Sequence, residues 1–193
     1  TTEIYTLSLH DALPIYQLQR RAAQLLTAGE IAREISSETE LGALLNNSIY
    51  LIQKQFGFYH ASIFLVDAQR EYAVLQASTG EAGRQMLERN HRLKVGEQGL
   101  VGYATSTGLS RVASDVGEDA VHFQNPLLPY TRSEAALPLR VGEQIIGALD
   151  VQSMVSDAFT DEDMNVLQTI ADQLAVAIRS EEHTSELQSP NTI

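Results

Sequence analysis

Cysteine is absent from the 193 residues. That absence excludes a disulfide framework, a thiolate nucleophile, a Cys-ligated metal and a chromophore held by a thioether bond. Basic charge is scarce as well: 13 Lys and Arg against 25 Asp and Glu leave a net charge of −12. Nucleic acid and anionic membrane surfaces both reward concentrated Lys and Arg, so neither is expected as a partner. No apolar run approaches the roughly 20 residues of a membrane-spanning helix. The expected location is the cytoplasm.

The two ends read differently from the middle. Residues 1–15, TTEIYTLSLHDALPI, and residues 179–189, RSEEHTSELQS, resemble translated sequencing-adapter sequence. We therefore expect residues 1–15 and 179–193 to lie outside the natural fold, like tags or fusion scars. The expected organisation is a connecting helix over 16–36 and one domain over 37–178, a piece of a longer protein that carries an output domain.

Within the middle, apolar spacing predicts the elements. Leu18, Ala22, Leu25, Ala28, Ala32 and Ile35 recur at three and four, as on one face of a helix. Ser37 and Glu40 have capping-box spacing, and Leu41, Leu44, Leu45, Ile49, Ile52 and Phe56 give a second helix its apolar face before Gly57. Strands are expected over 61–66, 72–77, 92–95 and 109–113, with helices over 81–89 and 100–107. The clearest local signal is a hairpin: residues 133–140 and 144–151 flank Gly142 and Glu143, a Gly-first two-residue turn. A long loop over 114–130 feeds its first strand. Thr160 caps a final helix, three acidic residues follow at its start, and Phe159 and Met164 have staple spacing. The sum is α+β, an antiparallel sheet carrying helices on one face.

Four stretches then resemble the GAF domain family: ASIFLVD at 61–67, GLVGYATSTG at 99–108, the run 125–152, and FTDED at 159–163 leading into LQTIADQLAVAI at 167–178. The resemblance is to the GAF copies of bacterial multi-sensor histidine kinases. It implies a six-stranded antiparallel sheet, terminal helices on one face, a loop-covered pocket on the other, and a sensory or dimerisation role in two-component signalling. It also implies a homodimer, a small-molecule ligand and a C-terminal output domain, expected to be a histidine kinase. The alternative is a ligandless structural spacer. One GAF subgroup reduces free methionine sulfoxide through a thiolate, and bilin-binding members anchor the pigment through Cys. With no Cys here, the expectation is a domain that is not an enzyme and has no covalent bilin.

Candidate site residues come from the long loop and the start of the hairpin. Arg132 offers a planar fork for a carboxylate or phosphate, Asn125 and Ser133 donate and accept, Phe123 and Tyr130 can stack on a flat ligand, and Asp115 completes the set. Alternatively Arg132 pairs with Asp115 or Glu134, Asn125 and Asp115 fix turns, and the two rings plug the pocket. His60, His91 and His122 are too scattered in sequence for a local metal-ligand pattern. His122, beside Phe123, is the one candidate for an axial haem ligand. The Gly96, Gly99, Gly102 spacing fits a tight turn and close helix packing rather than a nucleotide-binding loop. Leu167, Ala171, Leu174 and Ile178 recur at four, three and four, either as a dimer and relay seam, joined by Leu18 and Leu25, or as a cover for the sheet.

Overall fold

The computed structural model describes residues 41–188. The helix expected over 16–36, with Leu18 and Leu25, and the segments 1–15 and 189–193 lie outside the described residues.

Ten elements follow in order: α1 (Leu41–Phe56), β1 (His60–Val66), β2 (Tyr72–Ser78), α2 (Gly80–Glu88), β3 (Arg92–Lys94), α3 (Gly99–Thr107), β4 (Arg111–Ala113), β5 (Ser133–Val141), β6 (Gln144–Ser153) and α4 (Asp161–Gln188). The strands form one sheet in the order β3-β2-β1-β6-β5-β4, and every pairing is antiparallel. The architecture is α+β, as expected. The β5–β6 turn is the expected one: Val141 faces Gln144, and Gly142 has φ +59°, a backbone state an L side chain resists.

Strand alternation divides the sheet into two unlike faces. Ala61, Ile63, Ala77, Ala135, Leu137, Leu139, Leu149 and Val151 point to one side. There they meet Leu44, Leu45, Ile49 and Ile52 of α1, together with Leu167, Ile170, Ala171, Leu174, Ala175 and Ile178 of α4. The stripe on α4 is thus spent on the sheet. Leu167, Ala171, Leu174 and Ile178 are all fully buried inside one chain, which corrects their assignment to a dimer seam: a second chain cannot reach them while the core is closed. The helices' outward residues, among them Tyr50 of α1 and Val176 of α4, are the exposed ones.

Thr160 caps α4 reciprocally. Its Oγ1 accepts from the Asp163 amide at 3.2 Å, and Asp163 Oδ2 accepts from the Thr160 amide at 3.1 Å.

The opposite face carries Phe64, Ala73, Leu75, Ala136 and Ala148, covered by Met86 of α2, Leu100, Val101 and Ala104 of α3, and Leu128 of the long loop. A bulge in β2 shapes this side. Ile63 faces Ala77 but Phe64 faces Leu75, so Gln76 is unopposed and Ser78 turns to the same face as Ser62.

Candidate functional site

This second face changes from apolar to polar toward one end. Cross-strand register places His60 opposite Gln152 and Gln152 opposite Glu134; the adjacent row places Ser62 opposite Asp150. Each of these side chains is buried. Because neighbours along a strand alternate, Glu134, Asp150 and Gln152 look toward the loop while Ala135, Leu149 and Val151 look toward α1 and α4.

The buried polar groups are stitched together. Ser62 Oγ donates to Asp150 Oδ2 at 3.1 Å, and Gln152 Nε2 donates to the same oxygen at 2.9 Å. Thr131 Oγ1 donates to Gln152 Oε1 at 2.6 Å. His122 reaches in from the loop, and its Nδ1 shares a hydrogen bond with Glu134 Oε2 at 2.5 Å. His60 Nε2 lies 3.0 Å from Ser78 Oγ, the hydroxyl that the bulge brings round. Asp150 and Glu134 are also hydrogen-bonded to each other, which two carboxyls do by sharing a proton.

Burial sets the charge states. It pushes the Glu134 carboxyl up to about 7 and, with Glu134 beside it, pushes Asp150 well above the usual carboxylate range. The same desolvation holds His60 down to about 4 and lowers His91 and His122. At neutral pH the site therefore holds neutral imidazoles and a carboxyl pair that retains protons.

Two neighbouring spaces lie over these groups. An inner chamber of about 30 Å³ is bordered by His60, Ser62, Asp150, Glu134 and Gln152 on the sheet, and by Phe64, Met86, Leu93 and Val101 on its apolar side. An outer cleft of about 270 Å³ lies under the loop, lined by Val116, His122, Gln124, Pro129 and Thr131 among others. Phe123, Asn125, Leu128 and Gln152 border both. Gly99 lets the roof sit low: its φ is +67°, and a Cβ there would stand 3.1 Å from Phe123 Cβ.

Of the six loop candidates, Phe123 and Asn125 line these spaces. Asp115, Tyr130, Arg132 and Ser133 do not. Arg132 bonds Asp115 Oδ2 at 2.8 Å and Ser156 Oγ at 3.1 Å in an exposed clasp. Ser133 Oγ donates to the Val155 carbonyl, and Tyr130 is exposed. Asn125 also fixes a turn, accepting from the Leu127 amide at 3.0 Å. His122, the haem candidate, borders the outer cleft with its Nδ1 hydrogen-bonded to Glu134. Among the described residues no group of three or more His, Cys, Asp or Glu could hold a metal ion.

The residues that sequence reasoning missed are His60, Ser62, Glu134, Asp150 and Gln152. Their signal was present: Asp150 and Gln152 alternate with Leu149 and Val151 on β6, and Glu134 precedes the apolar run 135–139 on β5. Glu134 is named from the sequence only as an alternative partner of Arg132. The three histidines, far apart in sequence, all border these two spaces.

The sequence of residues 38–179 matches the family model of the GAF domain. The chain belongs to the GAF domain family. GAF domains are sensory and regulatory modules, and solved GAF structures repeat this architecture. The GAF domain of a phosphoenolpyruvate-protein phosphotransferase from Coxiella burnetii superposes with a TM-score of 0.78 at 21% identity, covering 86% of this chain and 98% of that one. A free methionine-R-sulfoxide reductase from Neisseria meningitidis, solved with its substrate, superposes at 0.74 and 22% identity, covering 95% and 98%. The reduced Staphylococcus aureus enzyme of that type gives 0.69 at 22%, covering 80% and 94%. At these identities the likeness shows the fold. No curated protein matches the chain significantly.

The reductases overturn one expectation. The sequence reading took this GAF domain not to be an enzyme, yet the same fold carries enzymes across the species just named. Lack of Cys removes a thiolate nucleophile from the chain. It does not remove catalysis from the fold, and that conclusion is withdrawn. Among the described residues no helix is long and apolar enough to cross a membrane.

Proposed function

We infer that this GAF domain is a small-molecule sensor whose ligand enters beneath the 114–130 loop and contacts the buried polar row on β1, β5 and β6. The observation that carries the reading is the buried polar row itself: Asp150 and Glu134, two hydrogen-bonded carboxyls in a sheet core, border a space together with His60, Ser62 and Gln152.

A relay fits the same geometry. The sheet is a single layer, so Glu134 and Asp150 on the ligand side alternate with Ala135, Leu149 and Val151, which pack with α4 in one core. A shift of β5 or β6 on ligand binding is felt by α4 through its buried stripe. In this proposal the signal leaves along the terminal helices to an output domain, of the histidine kinase class that the resemblance implies, in a cytoplasmic homodimer joined through the outer helix faces.

A thermal-shift screen with nucleotides, haem, small acids and amino acids tests the reading; a ligand raises the unfolding temperature saturably. No shift with any compound contradicts it and favours the second reading, a ligandless spacer. The inner chamber's small volume of about 30 Å³ speaks for that alternative.

A further inference from the structure

Segment 117–126 forms part of the roof over the site and is built unlike the rest of it. None of its residues is fully buried, and none belongs to either apolar cluster. Both of its ends are pinned. The Val116 amide donates to the Arg132 carbonyl at 2.9 Å, beside the clasp of Asp115, Arg132 and Ser156. On the other side Leu128 is buried among the apolar groups of this face, and Thr131 is bonded to Gln152. Asp119 Oδ1 accepts from the Val121 and His122 amides, which braces the segment internally. A loop with a closed base and a self-braced tip can swing without unravelling.

Its polar ties to the body differ in reach. Asp119 pairs with Arg111 of the edge strand β4 at 3.1 Å, a partly exposed contact that adds little. Asn125 Nδ2 meets the Met86 thioether, a weak acceptor, at 2.9 Å. His122 is the tie that enters the polar row: its Nδ1 is bonded to Glu134 Oε2, and Glu134 is bonded in turn to Asp150.

We propose that residues 117–126 are a pH-sensitive flap, latched over the polar row by the one proton that Glu134 and Asp150 share and released when that proton leaves. Two carboxyls are hydrogen-bonded to each other only while one of them is protonated. Without the proton, two like charges face each other in the core, and water must enter to separate them. Strands and helices wall the inner chamber elsewhere, so the flap is the wall that yields. Burial raises the Glu134 carboxyl to about 7, so the latch holds below that value and is lost as pH rises through it.

The titratable and charged groups facing the pair are His60 from β1, His91 from the segment before β3, His122 and Asp119 from the loop, and Arg111 from β4. Helices α2 and α3 present Met86, Gly99 and Val101, which carry no charge. Burial lowers the three histidines, leaving them neutral across the neutral range, and Asp119 stays charged. The proton that decides the latch is therefore the one on the carboxyl pair. The device needs no ligand and stands apart from the sensory reading.

Because the chain has no Cys, a single introduced thiol reports opening without background. Val101→Cys places one on α3, buried beneath the roof, and Ala175→Cys places a control in the core on the other face of the sheet. Iodoacetamide labelling of the folded whole chain is followed at pH 6 and pH 8, each rate divided by that of a short thiol peptide at the same pH. Val101→Cys should label at least about tenfold faster than the control at both values, because flap opening is local. Its corrected rate should rise about tenfold from pH 6 to pH 8, as linkage through a carboxyl ionising at about 7 when closed and 4.5 when open requires. Adding Glu134→Gln should keep labelling slow at both values, since Gln donates to Asp150 and accepts from His122 without a shared proton. Adding His122→Ala should make it fast at both. A rise under about threefold, a pH dependence that survives Glu134→Gln, or slow labelling retained in His122→Ala overturns the latch. Labelling of Val101→Cys no faster than the control overturns the flap, because the site then opens only with the whole fold. The sensory reading is judged separately, by the thermal-shift screen.

Discussion

Replacing Glu134 by Gln tests the electrostatic description of the site through stability alone. The Glu134 carboxyl ionises at about 7 in the folded chain against 4.5 ordinarily, chiefly because it is buried. Between those values the folded chain holds a proton that the unfolded chain has lost, so stability falls as pH rises, by about 1.4 kcal/mol per pH unit. The contribution is fully present below 4.5 and gone above about 7, a total of about 3 kcal/mol. His60, lowered to about 4 from 6.5, works in the opposite sense, and stability gained from it rises with pH up to 6.5. Asp150 falls with pH as Glu134 does, and part of its elevation comes from Glu134. Comparing variant with wild type cancels His60 and leaves Glu134 with its effect on Asp150, which has the same sign. Urea unfolding of both proteins at pH 5 and pH 8 should show Glu134→Gln gaining about 2.5 kcal/mol on wild type between the two conditions, since pH 5 already lies above 4.5. A gain under about 1 kcal/mol, or a loss, refutes a buried, proton-retaining Glu134.

Three further substitutions probe the frame around the site. Leu174→Ala should cost about 2–5 kcal/mol in urea unfolding, independent of protein concentration, because this fully buried side chain packs in the chain's own core; a concentration-dependent loss would return the stripe to an interface. Gly147→Ala should cost at least about 2 kcal/mol by thermal or urea unfolding, since the new Cβ would stand 2.1 Å from the Phe64 carbonyl oxygen in the adjacent strand. Thr160→Ala should cost about 0.5–2 kcal/mol and leave ligand shifts intact, because it removes one half of the cap of α4 far from the chamber.

The fold was legible in the sequence because its signals are local. The Gly142 turn, the Thr160 cap and the stripe over Leu44 to Ile52 each depend on neighbours within a few positions, and each element formed where its pattern lay. The site was half legible. Phe123 and Asn125 could be found because a long loop before a hairpin is a natural roof. Arg132 misled, since a guanidinium next to a turn suggests anion recognition, whereas here it serves an exposed clasp with Asp115 and Ser156. The buried row escaped because it is assembled by register. His60, Glu134 and Gln152 are neighbours only once β1, β6 and β5 lie side by side, and Ser78 joins them only through the unopposed Gln76. The stripe on α4 was open to two readings from spacing alone, and only the packing of the sheet decides between them.

The central claim is that ligand recognition sits on the polar end of the sheet face away from α1 and α4. Backbone amide chemical-shift mapping with any compound that stabilises the protein tests it most directly. The account predicts that the largest changes fall on His60, Ser62, Asn125, Glu134, Asp150 and Gln152, with smaller ones propagating into α4. Changes concentrated on the outer surfaces of α1 and α4, or on the Asp115 and Arg132 clasp with the chamber unaffected, would contradict it.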